Sequence, residues 1–222
     1  MSKTNQNETP IITDEVLSKS EALIEKNKKT ILAAIAAIVI IVAGTICYNT
    51  YVVEPKEKEA AEAIFAAENL FAAQEFDKAL NGDGINPGFI QIADEYSNTP
   101  SGNIANAYAG MALAQLARYE EAIEYLKDFD GDDAMVAPAA YGTLGSCYAQ
   151  MGDADAAISN YIKAAKKANN ATISPYYLLQ AGIMYEQQGD KEEAAELYEE
   201  IKSKYATSSI SMDIEKYINR VK

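Results

Sequence analysis

Apolar residues follow two different patterns along the chain. From Thr30 to Val53 there are 24 residues without a charged side chain, whereas beyond residue 54 apolar residues recur at helical spacing among acidic ones. As an α-helix, the uncharged run would be about 36 Å long, enough to cross a bilayer core of ~30 Å. Tyr48 and Tyr51 fall near one end, where aromatic rings favour the membrane interface. The pattern predicts one transmembrane helix over residues 30–53, followed by a helical domain.

The uncharged run has three other interpretations. It could be a buried helix of a soluble core, but such helices are rarely so long and so apolar. It could be a cleaved signal sequence, but it is long for one and no A-x-A pattern ends it. Cys47 could be the lipidated cysteine of a lipoprotein, but Ile46 stands before it where a small residue is usual. We therefore predict an uncleaved signal anchor.

Lysines around the anchor predict its orientation. Four precede it closely and two follow it, so the positive-inside rule places residues 1–29 in the cytoplasm as a tail. Residues 54–222 are then extracytoplasmic, and the expected location is the inner (cytoplasmic) membrane with the large domain in the periplasm. The lysines are Lys19, Lys26, Lys28 and Lys29 before the anchor and Lys56 and Lys58 after it.

Self-similarity organises the second half of the chain. Numbering Pro138 as position 1 of a block places Leu144 at position 7, Gly145 at 8 and Gly152 at 15. Together with the aromatic and alanine positions of the block, this pattern resembles a tetratricopeptide repeat over residues 138–171. The further matches are Tyr141, Tyr148, Ala157, Tyr161 and Ala164. Similar but weaker blocks cover residues 175–208 and 103–136, and Ala117 replaces the turn glycine in the latter.

The flanks of these repeats are less regular. Residues 57–100 form a degenerate unit, for which we predict one helix over 57–80, a turn at Asn81–Gly84 and a shorter helix over 88–96. Residues 209–221 predict a capping helix on the last repeat. The predicted fold class is all-α, a tetratricopeptide-like solenoid of helical hairpins preceded by a single transmembrane helix.

Charge and composition exclude several functions. The chain has 33 acidic and 19 basic side chains and no histidine, giving a net charge of −14. Residues 1–53 are neutral overall, so the negative charge belongs to the domain beyond the anchor. Without histidine there is no Ser-His-Asp or Cys-His pair, and a chain this acidic repels phosphate backbones. We expect no catalysis, no cofactor, no nucleic-acid partner and no small-molecule substrate.

The groove of a tetratricopeptide array is formed by positions 2, 5, 9 and 12 of each first helix. No lysine or arginine occupies these positions in the three repeats, so a basic clamp for a C-terminal carboxylate is absent from them. Small and apolar residues suit an apolar or helical protein segment instead. Alternatively, the capping helix or the degenerate unit already covers this surface. The candidate groove residues are Ile104, Ala107, Met111, Ala139, Gly142, Ser146, Tyr176, Leu179 and Ile183.

Three features suggest chemistry only weakly. Residues 128–133 are rich in aspartate, but Asp133 and Ala139 stand where a calcium loop needs Gly and Glu, so an acidic surface loop is the better interpretation. Asp83 is better explained as a turn residue than as a metal ligand. Cys147 is expected to be a buried thiol, and it is not expected to pair with Cys47, because Cys47 lies in the predicted membrane segment and Cys147 in the domain beyond it. We expect no metal site.

One anchor followed by an acidic array resembles the membrane-anchored tetratricopeptide family typified by YfgM, an ancillary subunit of the bacterial Sec translocon. Residues 79–84, Gly88-Phe89, Gly102-Asn103 and Tyr108-Ala109-Gly110 look like the form found in Bacteroidota. The resemblance implies a protein-binding adaptor whose partners are envelope chaperones, translocon subunits or exported chains. An assembly scaffold for another envelope complex, in secretion, lipoprotein or cell-wall machinery, is the alternative.

Overall fold

A computed structural model describes residues 26–222, and all regular secondary structure within that range is helical. It comprises two units, with the boundary between Val52 and Val53. The predicted tail 1–29 lies outside the described residues except for its last four, and Lys28 and Lys29 already belong to the first helix. The capping-helix and hairpin predictions all fall within the second unit.

The described part of the first unit contains one long apolar helix. Helix α1 spans Lys28–Tyr48 and is followed by a π-helical turn over Asn49–Val53. None of the residues of α1 is buried against other parts of the described chain. The Thr45 hydroxyl donates to the Ile41 carbonyl oxygen at 2.8 Å, so this polar side chain is satisfied within the helix. The helical stretch that contains α1 is long and apolar enough to cross a membrane, which by itself is weak evidence that it does.

The second unit contains ten helices in the described chain. Helices α2, α5, α7 and α9 are each followed by a partner helix packed against them, and α11 stands last. Their bounds are α2 Glu54–Ala72, α3 Phe76–Asn81, α4 Phe89–Glu95, α5 Pro100–Gln115, α6 Tyr119–Asp128, α7 Val136–Gln150, α8 Ala154–Ala168, α9 Ser174–Gln188, α10 Lys191–Lys204 and α11 Ser209–Val221. Helix α11 spans the residues for which a capping helix was predicted.

Four hairpins share one turn geometry. The turn residue of each has a left-handed backbone, with φ of 62° at Gln74, 57° at Ala117, 81° at Gly152 and 95° at Gly189. In each turn the N–H of the next residue donates at 2.9 Å to a carbonyl five residues back, as from Arg118 to Leu113. This is the hydrogen bond that closes a helix end through a left-handed residue. The hairpins are therefore structural repeats even where the sequence has lost its glycine.

The prediction for the first hairpin was wrong in one respect. A single helix over 57–80 was expected, but the chain turns at Gln74, which separates α2 from α3. The predicted turn at Asn81–Gly84 exists, yet it lies between the short helices α3 and α4 and interrupts the second arm of the hairpin. Four rings from both arms and the next helix hold this unit together: Phe71, Phe76, Phe89 and Tyr108, with centroids 5.1–6.2 Å apart.

Glycines at position 8 bring the two helices of a hairpin together, as the repeat pattern predicts. A Cβ on Gly145 would lie 2.9 Å from the Tyr161 ring, and one on Gly182 would lie 2.4 Å from the Tyr198 ring. Both tyrosines are buried. Large aromatic side chains thus pack directly on the backbone of the facing helix, and this contact repeats from hairpin to hairpin.

Candidate protein-binding surface

Helices α7 and α9, the first helices of the third and fourth hairpins, border a cavity together with α11. An apolar cavity of about 420 Å³ takes its walls from the beginnings of α7, α9 and α11. It contains the predicted groove residues Ala139 and Tyr176, and Tyr176 remains 50 % exposed. The structure therefore brings two of the nine predicted residues to one opening. The lining residues of this apolar cavity are Met135, Pro138, Ala139, Thr172, Ile173, Tyr176, Tyr177 and Ile210.

Helix α11 continues the groove and leaves Tyr176 exposed. Ile214, Ile218 and Val221 are buried and belong to the apolar cluster formed with α9 and α10. The first turn of α11 supplies Ile210 to the cavity wall, while Tyr176 keeps half of its surface. Among the described residues, the capping helix therefore borders this surface instead of covering it.

A ladder of tyrosines supports the exposed ring. Tyr176 packs edge-on against Tyr177 with centroids 5.2 Å apart, and Tyr177 stacks on Tyr161 at 6.3 Å. Tyr177 also lies over Gly142, where a Cβ would come within 2.2 Å of its ring. Burial raises the pKa of the Tyr177 hydroxyl. The predicted groove residue Gly142 is consequently covered by the neighbouring hairpin, and its backbone position serves packing.

The far end of α9 and α11 is polar. Glu186 forms an ion pair with Arg220, with Nε and Oε1 2.5 Å apart, and accepts a hydrogen bond from the Tyr198 hydroxyl at 3.1 Å. The hydrogen bond from Arg220 lowers the pKa of Glu186. Burial is the larger cause that raises the pKa of Tyr198, and its hydrogen bond to Glu186 is the second. A second cavity of about 310 Å³ at this end is lined by Ile183, Glu186, Gln187 and Arg220. Arg220, the arginine that lines this second cavity in the described chain, is therefore already paired with a carboxylate.

The remaining predicted groove residues differ in accessibility. Ala107 is fully buried, so it cannot contact a partner directly. Ser146 is exposed, and its hydroxyl donates to the Gly142 carbonyl at 3.0 Å. Ile104, Met111 and Leu179 are half-buried against the apolar clusters. Ile183 is also half-buried and lines the second cavity.

Sequence reasoning missed the contribution of α11 to the groove. Ser209 follows Pro175 by 34 residues, the ordinary repeat period, so Ile210 and Arg220 occupy positions 2 and 12 of a further first helix. Extending the repeat register by one helix would have identified both residues. Met135 could not have been found in this way, because it lies near the end of the repeat over residues 103–136 and not at a first-helix groove position.

Three of the four aspartates in residues 128–133 have structural partners through their backbone or side chain, which supports the surface-loop interpretation. The Asn103 side-chain amide donates to the Asp130 carbonyl at 2.7 Å and accepts from the Asp130 N–H at 2.9 Å. Asp132 pairs with Lys167. The Asp133 carboxylate accepts from the N–H groups of Met135 at 2.9 Å and Val136 at 2.6 Å, at the start of α7. Within residues 26–222 there is no group of three or more metal-ligating side chains suited to a metal ion.

Asp83 and Cys147 also take the structural roles expected of them. Asp83 accepts hydrogen bonds from the backbone N–H groups of Asn86 and Ile85 at 2.7 and 2.9 Å, which lower its pKa to about 2. Cys147 is 1 % exposed, and burial raises its pKa to about 11. A thiol of this kind is largely protonated at neutral pH and unreactive.

Together these features define an α-helical solenoid of tetratricopeptide-like hairpins. Comparison with known families agrees: residues 136–202 match the tetratricopeptide repeat. This class of repeat is typically a non-catalytic scaffold for protein–protein interaction. The match covers the second and third predicted repeats in large part, and the YfgM-like assignment stays a prediction.

Solved structures resemble the chain in fold. A crystal structure of MamA has a TM-score of 0.50 and 20% sequence identity, covering 70% of this chain and 91% of that one. A second crystal structure, of MamA protein, has a TM-score of 0.49 and 20% identity, with coverage of 73% and 89%. At this identity the first likeness shows the fold alone. No curated protein matches the chain.

Proposed function

We propose that this protein is a membrane-anchored adaptor of the bacterial envelope that assists translocation or folding of exported proteins. The observation that carries the adaptor role is the half-exposed Tyr176 beside an apolar cavity on an array of tetratricopeptide-like hairpins. Exposed aromatic side chains at the edge of an apolar recess are typical contact points for protein partners. The envelope location follows from the sequence prediction of an anchor over residues 30–53.

The anchor gives the adaptor its second property. Confinement to a membrane surface raises the effective concentration of a binding site for partners held at the same surface, without any new contact. In the proposed orientation, residues 1–29 are cytoplasmic and the hairpins are periplasmic, where exported chains emerge. The acidic surface keeps such an array soluble beside an anionic bilayer.

The chemistry of the groove favours apolar segments over C-terminal carboxylates. A carboxylate clamp needs a free cation, whereas Arg220 is held by Glu186. The residues that line the apolar cavity include no aspartate, glutamate, lysine or arginine. An unfolded or partly folded exported chain presents apolar side chains of the kind such a surface can bind.

Crosslinking in cells tests this function. A photo-reactive amino acid replaces Tyr176 or, as a second groove site, Met111, and Met212 provides an exposed control site on α11 outside the lining of both cavities. We expect crosslinks from the groove sites to translocon subunits, envelope chaperones or exported chains, and none of these from Met212. Recovery of one fixed complex from another envelope machine would instead support the assembly-scaffold alternative and contradict the translocation role.

A further inference from the structure

We propose that the apolar cavity binds one large apolar side chain of a partner segment whose flanking residues are basic. This inference rests on the adaptor function and specifies the chemistry of its partner. It combines two observations: an uncharged cavity with exposed apolar rims, and carboxylates close in the chain to residues of its wall.

The cavity suits an apolar anchor. Its volume of about 420 Å³ falls in the lower part of the range of binding pockets, and no carboxylate, lysine or arginine lines it. Met135 at one rim is 83 % exposed, and Tyr176 at the other is 50 % exposed. Two large apolar side chains facing solvent at one opening gain free energy when an apolar group covers them. The methionine side chain is flexible enough to adapt to the shape of the incoming residue.

Two carboxylates lie close in the chain to residues of the cavity wall, Asp133 before Met135 and Asp213 after Ile210. Asp133 is fixed beside Met135, because its Oδ1 accepts from the Met135 and Val136 N–H groups. Asp213 lies one helical turn after Ile210 on α11, with its side chain 76 % exposed and its carboxylate 3.7 Å from Lys216. Lys167 on α8 is engaged by Asp132, the neighbour of Asp133. A partner with lysine or arginine beside its apolar anchor is therefore attracted, and an acidic one is repelled.

Charge also argues against a second copy of this chain as the occupant. The net charge of −14 resides in the domain that carries the cavity, so two such domains repel each other at this surface. A basic segment is instead attracted to this negatively charged domain. The charge of the whole domain and that of the two carboxylates thus favour the same partner chemistry.

Peptide display tests the proposal. A library of random dodecapeptides is selected against the full chain in nanodiscs of neutral lipid, so that basic peptides gain nothing from the bilayer. We expect the enriched peptides to carry a large apolar residue and an excess of lysine and arginine. Enrichment of neutral or acidic peptides, or no enrichment, would overturn the proposal.

Two matched pairs of variants locate the binding. Met135→Gln should weaken the binding of the selected peptides about tenfold, because it removes an apolar contact that a bound peptide would bury. Met212→Gln changes a methionine that is 82 % exposed but outside the cavity, and should leave binding unchanged. Asp213→Lys should weaken binding more than Glu192→Lys, which makes the same change in net charge elsewhere, and raised salt should weaken binding to the wild type.

The outcomes separate this inference from the adaptor function. Equal effects within either pair of variants would overturn the proposed anchor or the proposed charge preference. If such results accompany intact crosslinking from Tyr176 in cells, the adaptor function stands and only the partner chemistry is wrong. Loss of peptide binding at high chain concentration would show that a second copy occupies the cavity, contrary to the proposal.

Discussion

The ring of Tyr177 lies over the backbone of Gly142, so close that a methyl group on this glycine would come within 2.2 Å of a ring carbon. The contact joins the second and third repeats at the cavity that the proposed partner would occupy. A residue that the sequence assigns to the groove therefore controls how two hairpins stack.

Substitution Gly142→Ala should destabilise the array. The added Cβ overlaps the Tyr177 ring, and overpacking of this kind costs about 1–3 kcal/mol. We expect a lower thermal midpoint by circular dichroism of the full chain in detergent micelles. In a Tyr177→Ala background, the same substitution should cost much less. Additive losses in the double variant would show that the ring is not the cause.

Exchange of residues at the hairpin turns should change stability in opposite directions. Ala117 has φ of 57°, and glycine adopts this conformation without strain, so Ala117→Gly should stabilise the chain by about 1 kcal/mol. Gly152→Ala should destabilise it by a similar amount, since no atom lies within 4 Å of the added Cβ and only backbone strain changes. Thermal unfolding of both variants measures the pair of effects. If both thermal midpoints shifted in the same direction, the two turns would not be equivalent.

The Glu186–Arg220 pair should make stability depend on pH. Arg220 holds the pKa of Glu186 below its ordinary value of 4.5 in the folded chain. The contribution is therefore complete above pH 4.5 and is lost as pH falls through the lowered folded value. Because the arginine is half exposed and screened by solvent, we expect less than about 1 kcal/mol. The difference in thermal midpoint between wild type and Arg220→Gln should shrink in acid, and a constant difference from pH 7 to 3 would exclude the linkage.

Cys147 should resist alkylation. With a pKa of about 11, about one thiol in a thousand is ionised at pH 8, and the side chain is 1 % exposed. In a Cys47→Ser variant, iodoacetamide should label the folded chain far more slowly than the chain in denaturant. The folded rate should rise steadily between pH 7 and 9, and a plateau in that range would indicate a lower pKa.

Regular parts of the array could be predicted from the sequence. Gly145 and Gly182 mark positions where an aromatic ring meets the facing helix, and this steric requirement repeats along the chain. The first hairpin could not be located in the same way, because Gln74 adopts the left-handed turn without being glycine. Its turn is held by the hydrogen bond from the Glu75 N–H to the Leu70 carbonyl, which leaves no mark in composition.

The candidate site was only partly predictable for a different reason. Tyr176 was identified from its repeat position, but the apolar cavity depends on how α7, α9 and α11 come together. Burial of Ala107 and Gly142 likewise follows from contacts between helices. Repeat position specifies the direction of a side chain on its own helix, and it does not specify what the next helix places in front of it.

The interrupted second arm of the first hairpin has a mechanical consequence. Helices α3 and α4 have only six and seven residues, so neither is long enough to persist without its tertiary contacts. The hairpin keeps its shape through its cluster of four rings, and Ile85 in the loop between the two pieces is 91 % exposed. In a chain pulled between its N-terminal segment and a partner bound at the groove, this hairpin lies along the sequence between the two points of load. We expect it to extend first under tension and to act as a compliant link that spares the groove.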